Sequence, residues 1–251
     1  MKTILQQILN NKKKEVSDKK KMSRFRRIFV NSKGRSMQIV AEIKLASPSA
    51  GILGRGENIT SRAKEYELGG ADAISVVVDK KFFHGDYEFI RLVKKVSSLP
   101  ILAKDFVIDP YQIYEAKIAG ASAVLLIVKI LSQSKLSKFV RIAQEIGIEP
   151  IVEVGNRKEL ERALFTDTVC IAVNARNLSD FLIDIDAACN LIKKIPSDRI
   201  SVGFSGIKSP KDVKKYKKAG AKAILVGTSL MRTKNIKKFI RNILNHSRPR
   251  G

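Results

Sequence analysis

Eight short apolar runs rich in β-branched residues alternate with amphipathic stretches from residue 38 onward. Continuous apolar runs of this kind are typical of strands buried on both faces of a sheet. They predict strands near residues 38–44, 73–79, 100–105, 122–128, 149–154, 169–173, 200–204 and 222–227. The intervening stretches predict helices near residues 60–69, 87–97, 110–119, 133–146, 157–164, 185–195, 209–219 and 229–244. Eight strand–helix units in succession predict a single (β/α)8 TIM barrel of the α/β class.

Glycines placed between helix and strand support this interpretation. Gly70, Gly120 and Gly220 each stand after a predicted helix and just before an alanine that leads into the next strand. This is the chemistry of a helix C-cap in a tight αβ loop. A doubly wound sheet, the main alternative, usually has fewer units and a Gly-x-Gly-x-x-Gly turn after its first strand, and residues 44–49 lack that turn.

The chain of 251 residues has the length of one such barrel, and its 44% of hydrophobic residues can fill the core. We expect two parts. Residues 1–37 predict an additional N-terminal helix followed by a basic arm, and residues 38–251 form the catalytic barrel.

A strong excess of basic residues bears on possible partners. Lys and Arg number 48 against 24 Asp and Glu, giving a formal charge of +24. This charge favours nucleic acid, anionic membranes or phosphorylated metabolites, whereas a lysine-rich coat on solvated helices is the simpler alternative. The chain has no Trp and no recognisable nucleic-acid-binding motif, so we expect no specific nucleic-acid partner. No apolar run reaches bilayer length and no signal-peptide core is present, so we expect no membrane and a cytoplasmic location.

Cysteine and histidine offer no metal-binding or nucleophilic constellation. Cys170 and Cys189 have no partner at metal-ligand spacing, and Cys170 lies inside an apolar run that indicates a core residue. His84 and His246 are too far apart in sequence to suggest a His-based site. The prediction is therefore no metal.

Polar side chains stand at the carboxyl ends of the apolar runs, where substrates bind in barrels. They are Glu42, Lys44, Lys104, Glu153, Asn174 and Arg176. Glu42 and Lys44 are two positions apart, so both face the same side of the first strand. A structural ion pair plugging the barrel is one explanation, but gathering so many charges costs too much desolvation to serve packing alone. Together they predict a site for an anionic substrate.

Glycine-containing segments follow the last two strands, Ser205-Gly206-Ile207 and Gly227-Thr228-Ser229. Barrels frequently bind phosphate there with backbone N–H groups and a short extra helix. Plain turn chemistry is the alternative for either glycine alone. Because both strands carry the signal, we predict a phosphate site.

Several longer motifs carry a resemblance to a known family. They include Glu42-Ile-Lys44 with Ser47-Pro48-Ser49, Leu102-Ala-Lys104-Asp105-Phe106, Val152-Glu153-Val154, Asn174-x-Arg176-Asn177-Leu178, Ser205-Gly206-Ile207 and Val226-Gly227-Thr228-Ser229-Leu230-Met231. Together they span most of residues 38–235, and the chain resembles indole-3-glycerol-phosphate synthase. That family is a (β/α)8 barrel with an extra N-terminal helix, and it closes and decarboxylates 1-(2-carboxyphenylamino)-1-deoxy-D-ribulose 5-phosphate in tryptophan biosynthesis.

The resemblance implies a role for each matching residue. Lys104 would be the general acid and Glu153 the base, while Lys44 would hold the substrate carboxylate. Glu42, Asn174, Arg176 and Ser205 would bind and orient the substrate, and Ser47, Gly206, Gly227 and Thr228 would surround its phosphate. A decarboxylation coupled to loss of water needs an acid, a base and a dry cationic cavity, so we expect no cofactor. We expect a monomer, and association with other enzymes of the tryptophan pathway stays an open alternative.

One departure from the family pattern falls in the predicted pocket. The family usually carries Ser-Glu-Ser-Gly-Ile at the end of the seventh strand, whereas this chain has Gly203-Phe204-Ser205-Gly206-Ile207. A smaller departure is Gly155, where a His often follows the glutamate of the fifth strand. An alternative function follows from Phe204: a barrel of the same family whose altered pocket runs a different acid–base or amine-nucleophile reaction on an aromatic ligand. A non-catalytic anion or nucleic-acid binder is the third hypothesis.

Overall fold

The computed structural model describes residues 4, 6, 23–30, 37–54 and 59–245. Most of the predicted N-terminal helix and basic arm therefore lies outside the described residues. The predicted boundary at residue 37 stays a prediction.

Eight parallel strands close into a barrel, which confirms the predicted fold. Each strand pairs with its two neighbours in chain order, and the first strand closes the ring by pairing with the last. The strands are β1 Gln38–Ile43, β2 Ala73–Val77, β3 Ile101–Lys104, β4 Ala123–Ile127, β5 Glu149–Val154, β6 Cys170–Asn174, β7 Ile200–Phe204 and β8 Ala223–Val226.

A helix follows each strand on the outside of the barrel. The helices are α1 Ile59–Gly69, α2 Tyr87–Val96, α3 Pro110–Ala119, α4 Gln133–Glu145, α5 Arg157–Leu164, α6 Ile185–Ile192, α7 Pro210–Ala219 and α8 Ile236–Asn245. Short helices are also present at Arg27–Val30, Lys80–Phe83 and Thr228–Arg232, with a 3-10 turn at Val128–Ile130 and a small hairpin that pairs Ala46–Ser47 with Gly51–Ile52.

Several element boundaries differ from the sequence prediction by a few residues, and two of these differences have a local cause. The helix predicted over 229–244 is two helices, because Asn235 begins α8 by accepting a hydrogen bond from the Lys238 N–H at 2.9 Å. The strand predicted over 73–79 stops at Val77, because Asp79 caps the short helix that follows.

The predicted glycine caps are confirmed. Gly70, Gly120 and Gly220 have φ values of 94°, 103° and 100°, a left-handed conformation that a side chain makes costly. They turn α1, α3 and α7 back toward the next strand. α3 begins with a capping box in which Asp109 and Gln112 exchange hydrogen bonds with the backbone.

Alternating residues of each strand point into the barrel and fill it. The interior cluster includes Val40, Leu102, Ile151, Ala172, Val202 and Leu225. Because the side-chain period of a strand is two, the residue two positions further along faces the same interior. That residue lies at the carboxyl end of the barrel, and the six positions are Glu42, Lys104, Glu153, Asn174, Phe204 and Gly227. The apolar interior thus forms the floor beneath the predicted site.

The opposite end of the barrel is closed by residues 23–30. Phe25 is fully buried within the interior cluster. Arg26 makes a forked ion pair with Glu149, the first residue of β5, with Nη2 to Oε1 at 2.8 Å. The Ser23 hydroxyl donates to the same carboxylate at 2.6 Å. Since Glu149 is buried, these contacts satisfy a charge that would otherwise stand alone in the core.

Candidate active site

A cavity of about 440 Å³ opens at the carboxyl ends of the strands. All the predicted site residues line it, namely Glu42, Lys44, Ser47, Lys104, Glu153, Asn174, Arg176, Ser205, Gly206, Gly227 and Thr228. They come from β1, β3, β5, β6, β7, β8 and the loops that follow these strands. The convergence expected of a parallel barrel is therefore present.

A buried carboxylate joins the two lysines of the cavity. Glu42 Oε1 lies 3.0 Å from Lys44 Nζ, and Glu42 Oε2 lies 3.0 Å from Lys104 Nζ. Burial by itself raises the pKa of Glu42, but the two ammonium groups outweigh burial and lower the pKa to about 2. Glu42 is therefore a fixed anion that holds two cations in place.

Lys104 stays protonated in this setting. Burial alone lowers the pKa of its ammonium group, but the carboxylates of Glu42 and Glu153 outweigh that effect and raise the pKa above its ordinary value. Its Nζ also lies 5.9 Å from the centre of the Phe204 ring, within the range of a cation–π contact. Lys104 is thus a charged proton donor held from two sides.

Glu153 has the opposite character. Its Oε1 accepts a hydrogen bond from Asn174 Nδ2 at 3.0 Å, and Asn174 Oδ1 accepts one from the Ser205 hydroxyl at 2.8 Å. Burial raises the pKa of Glu153, and the Lys104 charge together with the Asn174 hydrogen bond offsets only part of that rise. A carboxyl group whose pKa is moved toward neutrality is suited to taking and releasing protons.

Arg176 connects two loops over the cavity. Its Nη1 donates to the Phe181 carbonyl at 3.0 Å and to the Ser49 hydroxyl at 3.4 Å. Arg176 also forms an antiparallel bridge with Ile183, so residues 175–184 fold back on themselves. The guanidinium group therefore stands at the rim of the cavity, where it is half-buried.

The predicted phosphate loops meet on the β7–β8 side. Gly206 has a φ of 81°, and Thr228 begins the short helix Thr228–Arg232. Lys208 and Arg232 also line this side of the cavity, two cations that the sequence interpretation did not single out. Gly227 has a second explanation, because any side chain there would collide with Oε1 of Glu42.

Sequence reasoning also missed the apolar wall of the cavity. It is formed by Phe83, Phe106, Leu178, Phe181 and Ile183, and it adjoins Phe204, which the sequence does place in the pocket. The rings of Phe83 and Phe106 are 6.1 Å apart. These residues follow strand ends as the charged ones do, and their position after β2, β3 and β6 is the signal that would have found them. The cavity therefore offers cations for an anion and aromatic surface for a ring.

A (β/α)8 barrel that gathers a proton donor, a proton acceptor and several cations in one aromatic-walled cavity is an acid–base enzyme for an anionic substrate. The family model described as indole-3-glycerol phosphate synthase matches residues 2–243. The chain belongs to that family, a decarboxylating carbon–carbon lyase of tryptophan biosynthesis.

Relatives of the same name match nearly the whole chain. The indole-3-glycerol phosphate synthase of Caldanaerobacter subterraneus subsp. tengcongensis is 44% identical over 254 residues, covering 96% of this chain and 98% of that protein. The one from Thermoanaerobacter sp. strain X514 is 42% identical and covers 91% of this chain and 92% of that protein.

Solved structures with little sequence similarity share the fold. A 3-hexulose-6-phosphate synthase aligns with a TM-score of 0.67 at 14% identity, covering 84% of this chain and 99% of that chain. A thiamine phosphate pyrophosphorylase from Pyrococcus furiosus aligns with a TM-score of 0.61 at 13% identity, covering 84% and 96%. Across the described part of the chain, no helix is long and apolar enough to span a bilayer.

Proposed function

We propose that this chain converts 1-(2-carboxyphenylamino)-1-deoxy-D-ribulose 5-phosphate into indole-3-glycerol phosphate, carbon dioxide and water, and that the residues of its cavity carry out the steps. The observation that carries this assignment is the placement of Lys104 and Glu153 in one cavity with an anchored second lysine, Lys44. The substrate has an aromatic ring, a carboxylate and a phosphate, and the cavity has a matching surface for each.

Lys44 binds the substrate carboxylate. Its Nζ is held 3.0 Å from Glu42, so its position is fixed before the substrate enters. A positioned ammonium group stabilises the carboxylate as the ring closes. Its attraction to this group ends when the carboxylate leaves as neutral carbon dioxide. Glu42 is the positioning residue for both lysines and does not itself exchange a proton near neutral pH, because its pKa is about 2.

Lys104 is the general acid. Closing the ring turns the ketone oxygen into a hydroxyl group, and losing that hydroxyl as water requires a second proton. An ammonium group held between Glu42 and the face of Phe204 remains charged and stays directed into the cavity. Such a group stabilises negative charge on the oxygen before it delivers the proton.

Glu153 is the base. Formation of the aromatic indole ring removes one proton from the ring carbon bonded to nitrogen, and a nearby carboxylate accepts it. The Asn174 amide holds one oxygen of Glu153 at 3.0 Å, and Ser205 holds Asn174 in turn. Asn174 and Ser205 thereby orient the base, while Arg176 reaches the substrate from the rim.

The phosphate binds on the β7–β8 side. Backbone N–H groups near Gly206, Gly227 and Thr228 donate to it, with Ser47 on the facing hairpin. Lys208 and Arg232 add positive charge there. A phosphorylated small molecule as substrate agrees with the family assignment.

A second candidate function rests on Phe204. In place of the acid usual in the family, this buried ring stands over Lys104 and lines the cavity. A barrel rebuilt around an aromatic ligand would use the same ring for stacking and Lys104 or Glu153 for chemistry.

The cytoplasmic location, the monomeric state and the absence of a cofactor or a specific nucleic-acid partner stay predictions.

The test is a fluorescence assay of indole-glycerol phosphate formation from the carboxyphenylamino substrate. We expect turnover by the wild-type chain that is lost in Lys104→Ala and kept in a matched surface variant, Lys95→Ala. Turnover that falls only weakly with ionic strength separates catalysis on a buried substrate from binding by surface charge, which salt weakens steeply. A purified, folded wild-type protein with no detectable product contradicts the proposed function.

A further inference from the structure

A second cavity of about 500 Å³ lies beside the substrate cavity, between the ends of β5 and β6 and the loop over residues 175–184. Apolar and polar side chains both line it, and the polar ones include Lys129, Asn156, Glu159, Asn177, Asp180 and Asp184. A cavity of this size with several polar partners is suited to holding ordered water.

Glu153 and Asn174 line both cavities. Glu153 is almost fully buried, at 3% exposure, and still contributes to the lining of both spaces. The proposed base therefore lines the substrate cavity on one side and the second cavity on the other. A proton taken on the substrate side has a second way out that does not cross the substrate.

Glu159 is placed to receive that proton. It is half-buried, in the first turn of α5, and lines the second cavity. Its Oε2 accepts from the Gly155 N–H at 2.7 Å and its Oε1 accepts from Asn156 Nδ2 at 2.8 Å. Its negative charge is one of the causes that raise the pKa of Glu153, so the two carboxyl groups interact.

Gly155 leaves open space beside Glu159. A side chain added at this position would meet only Glu159 Oε2, at 3.5 Å. The space beside residue 155 is therefore empty because glycine has no side chain to fill it. An imidazole or another large side chain at residue 155 would fill part of it.

On the basis of the proposed function, we propose that Glu159 relays protons between Glu153 and bulk solvent through the second cavity. Glu153 takes the proton from the substrate carbon, passes it to cavity water, and the water passes it to Glu159, which releases it outside. The first transfer moves one proton from carbon to oxygen and each later transfer moves it between oxygen atoms, so no electrons are needed, while Lys104 regains from solvent the protons that it gives to the departing oxygen. The carboxylate of Glu153 is restored without the proton crossing the substrate cavity.

Other charged groups face Glu153 and belong to the same balance. Lys104 and Glu42 act on it from the substrate side, with Arg176 at the wall between the cavities. Lys129, Asp180 and Asp184 line the second cavity further out, where Lys129 donates to the Ser179 hydroxyl at 2.6 Å. Among the residues just named and Glu159, the carboxylate on the second-cavity side whose charge contributes to the raised pKa of Glu153 is that of Glu159.

Two variants interrupt the relay in different ways. Glu159→Gln removes the carboxyl group and keeps an acceptor for the Gly155 N–H, with Glu161→Gln as the control on the same helix, where Glu161 pairs with Arg157 at the surface. Ala187→Phe fills the cavity from an exposed lining position, with Asn190→Phe adding the same bulk elsewhere on α6. Thermal unfolding of all four variants verifies that they fold.

For both relay variants we expect kcat to fall at unchanged KM, by less than the ~100-fold that loss of an acid–base group costs. The solvent deuterium isotope effect on kcat should rise, and added imidazole should restore turnover in Glu159→Gln by carrying the proton. Wild-type kcat and isotope effect in both folded variants overturn the relay. Absence of product with the wild-type chain would instead count against the proposed function, so the two failures are distinguishable.

Discussion

Lys104 and Glu42 form a 3.0 Å ion pair across the mouth of the barrel, joining the end of β3 to the end of β1. The same carboxylate holds Lys44 through its other oxygen. One buried anion thus fixes two lysines that differ in their surroundings. Only Lys104 also lies beside an aromatic face and under the influence of Glu153.

Replacing Lys104 by alanine tests this division of roles. We expect Lys104→Ala to lower kcat by at least ~100-fold, the lower range for loss of a general acid, with the fold retained. The barrel should survive because Glu42 keeps its partner Lys44. Steady-state kinetics with a circular-dichroism control measures both effects, and near wild-type turnover would remove Lys104 from the acid role.

Glu153→Gln should lose activity and gain stability. The pKa of Glu153 is raised above its ordinary 4.5 in the folded protein, so the native state binds this proton more tightly than the unfolded chain does. The free energy of unfolding therefore falls as the pH rises from the pKa of Glu153 in the unfolded chain through its pKa in the folded protein. At neutral pH the charged side chain destabilises the fold. Glutamine keeps the shape and removes the cost.

Thermal unfolding at pH 7 and at pH 4 measures this effect. We expect a higher midpoint for Glu153→Gln than for the wild type at pH 7 and a smaller difference at pH 4. Turnover should fall by ~100-fold or more because the base is gone. A variant that unfolds more readily at both pH values would identify Glu153 as a structural residue.

How far the sequence predicts this site depends on what strand periodicity can specify. Glu42, Lys104, Glu153 and Asn174 were expected to converge because each stands at the carboxyl end of a strand in a parallel barrel, and the period of two put Glu42 and Lys44 on one side of the first strand. That argument fixes the face and the level of a side chain. It does not fix how far each side chain extends or which groups it contacts. The contact of Glu42 with both lysines is therefore known only from the structure.

Features made by loops were beyond the same argument. The second cavity depends on how residues 175–184 fold back through the Arg176–Ile183 bridge, a pairing without a periodic signal. The break before α8 did have a signal, since Asn235 is a favoured N-cap residue inside the stretch predicted as one helix. The predicted phosphate role of Gly227 omitted its neighbour Glu42, because strand pairing between β8 and β1 becomes visible only in the closed barrel.

Inorganic phosphate should compete with the substrate on the β7–β8 side. Gly227→Asp is a poor probe of this site, because any side chain there strikes Glu42. Thr228→Asp instead adds a negative charge at the first residue of the short helix, and Thr228→Ser is the matched control. We expect Thr228→Asp to raise both KM and the inhibition constant of phosphate, since like charges repel. Unchanged values would place the phosphate elsewhere.

Glu149→Gln should destabilise the barrel without changing its chemistry. Glu149 is buried at the end of the barrel opposite the active site and accepts from Arg26 and Ser23. Weakening this pair should cost about 2 kcal/mol of unfolding free energy, because hydrogen bonds to a charged group are lost. Urea denaturation measures the cost. Turnover below the midpoint should match the wild type, and a large loss of kcat would contradict the separation of the two ends.

Phe204→Glu restores the acid that the family usually carries at the end of β7. The wild-type ring is 1% exposed and belongs to the apolar interior, so the substitution should lower stability. The new carboxylate would stand near Lys104 and Arg176, whose charges offset part of the cost of burying it. An acceptor for the substrate returns to the cavity, and we expect turnover of the carboxyphenylamino substrate to rise.

Phe204→Leu is the control, since it keeps an apolar side chain while removing the ring over Lys104. If Phe204→Glu is folded but slower than Phe204→Leu, the ring itself serves the reaction and the pocket has been rebuilt around aromatic contact. If neither the wild type nor Phe204→Glu forms product, this chain does not run the family's reaction.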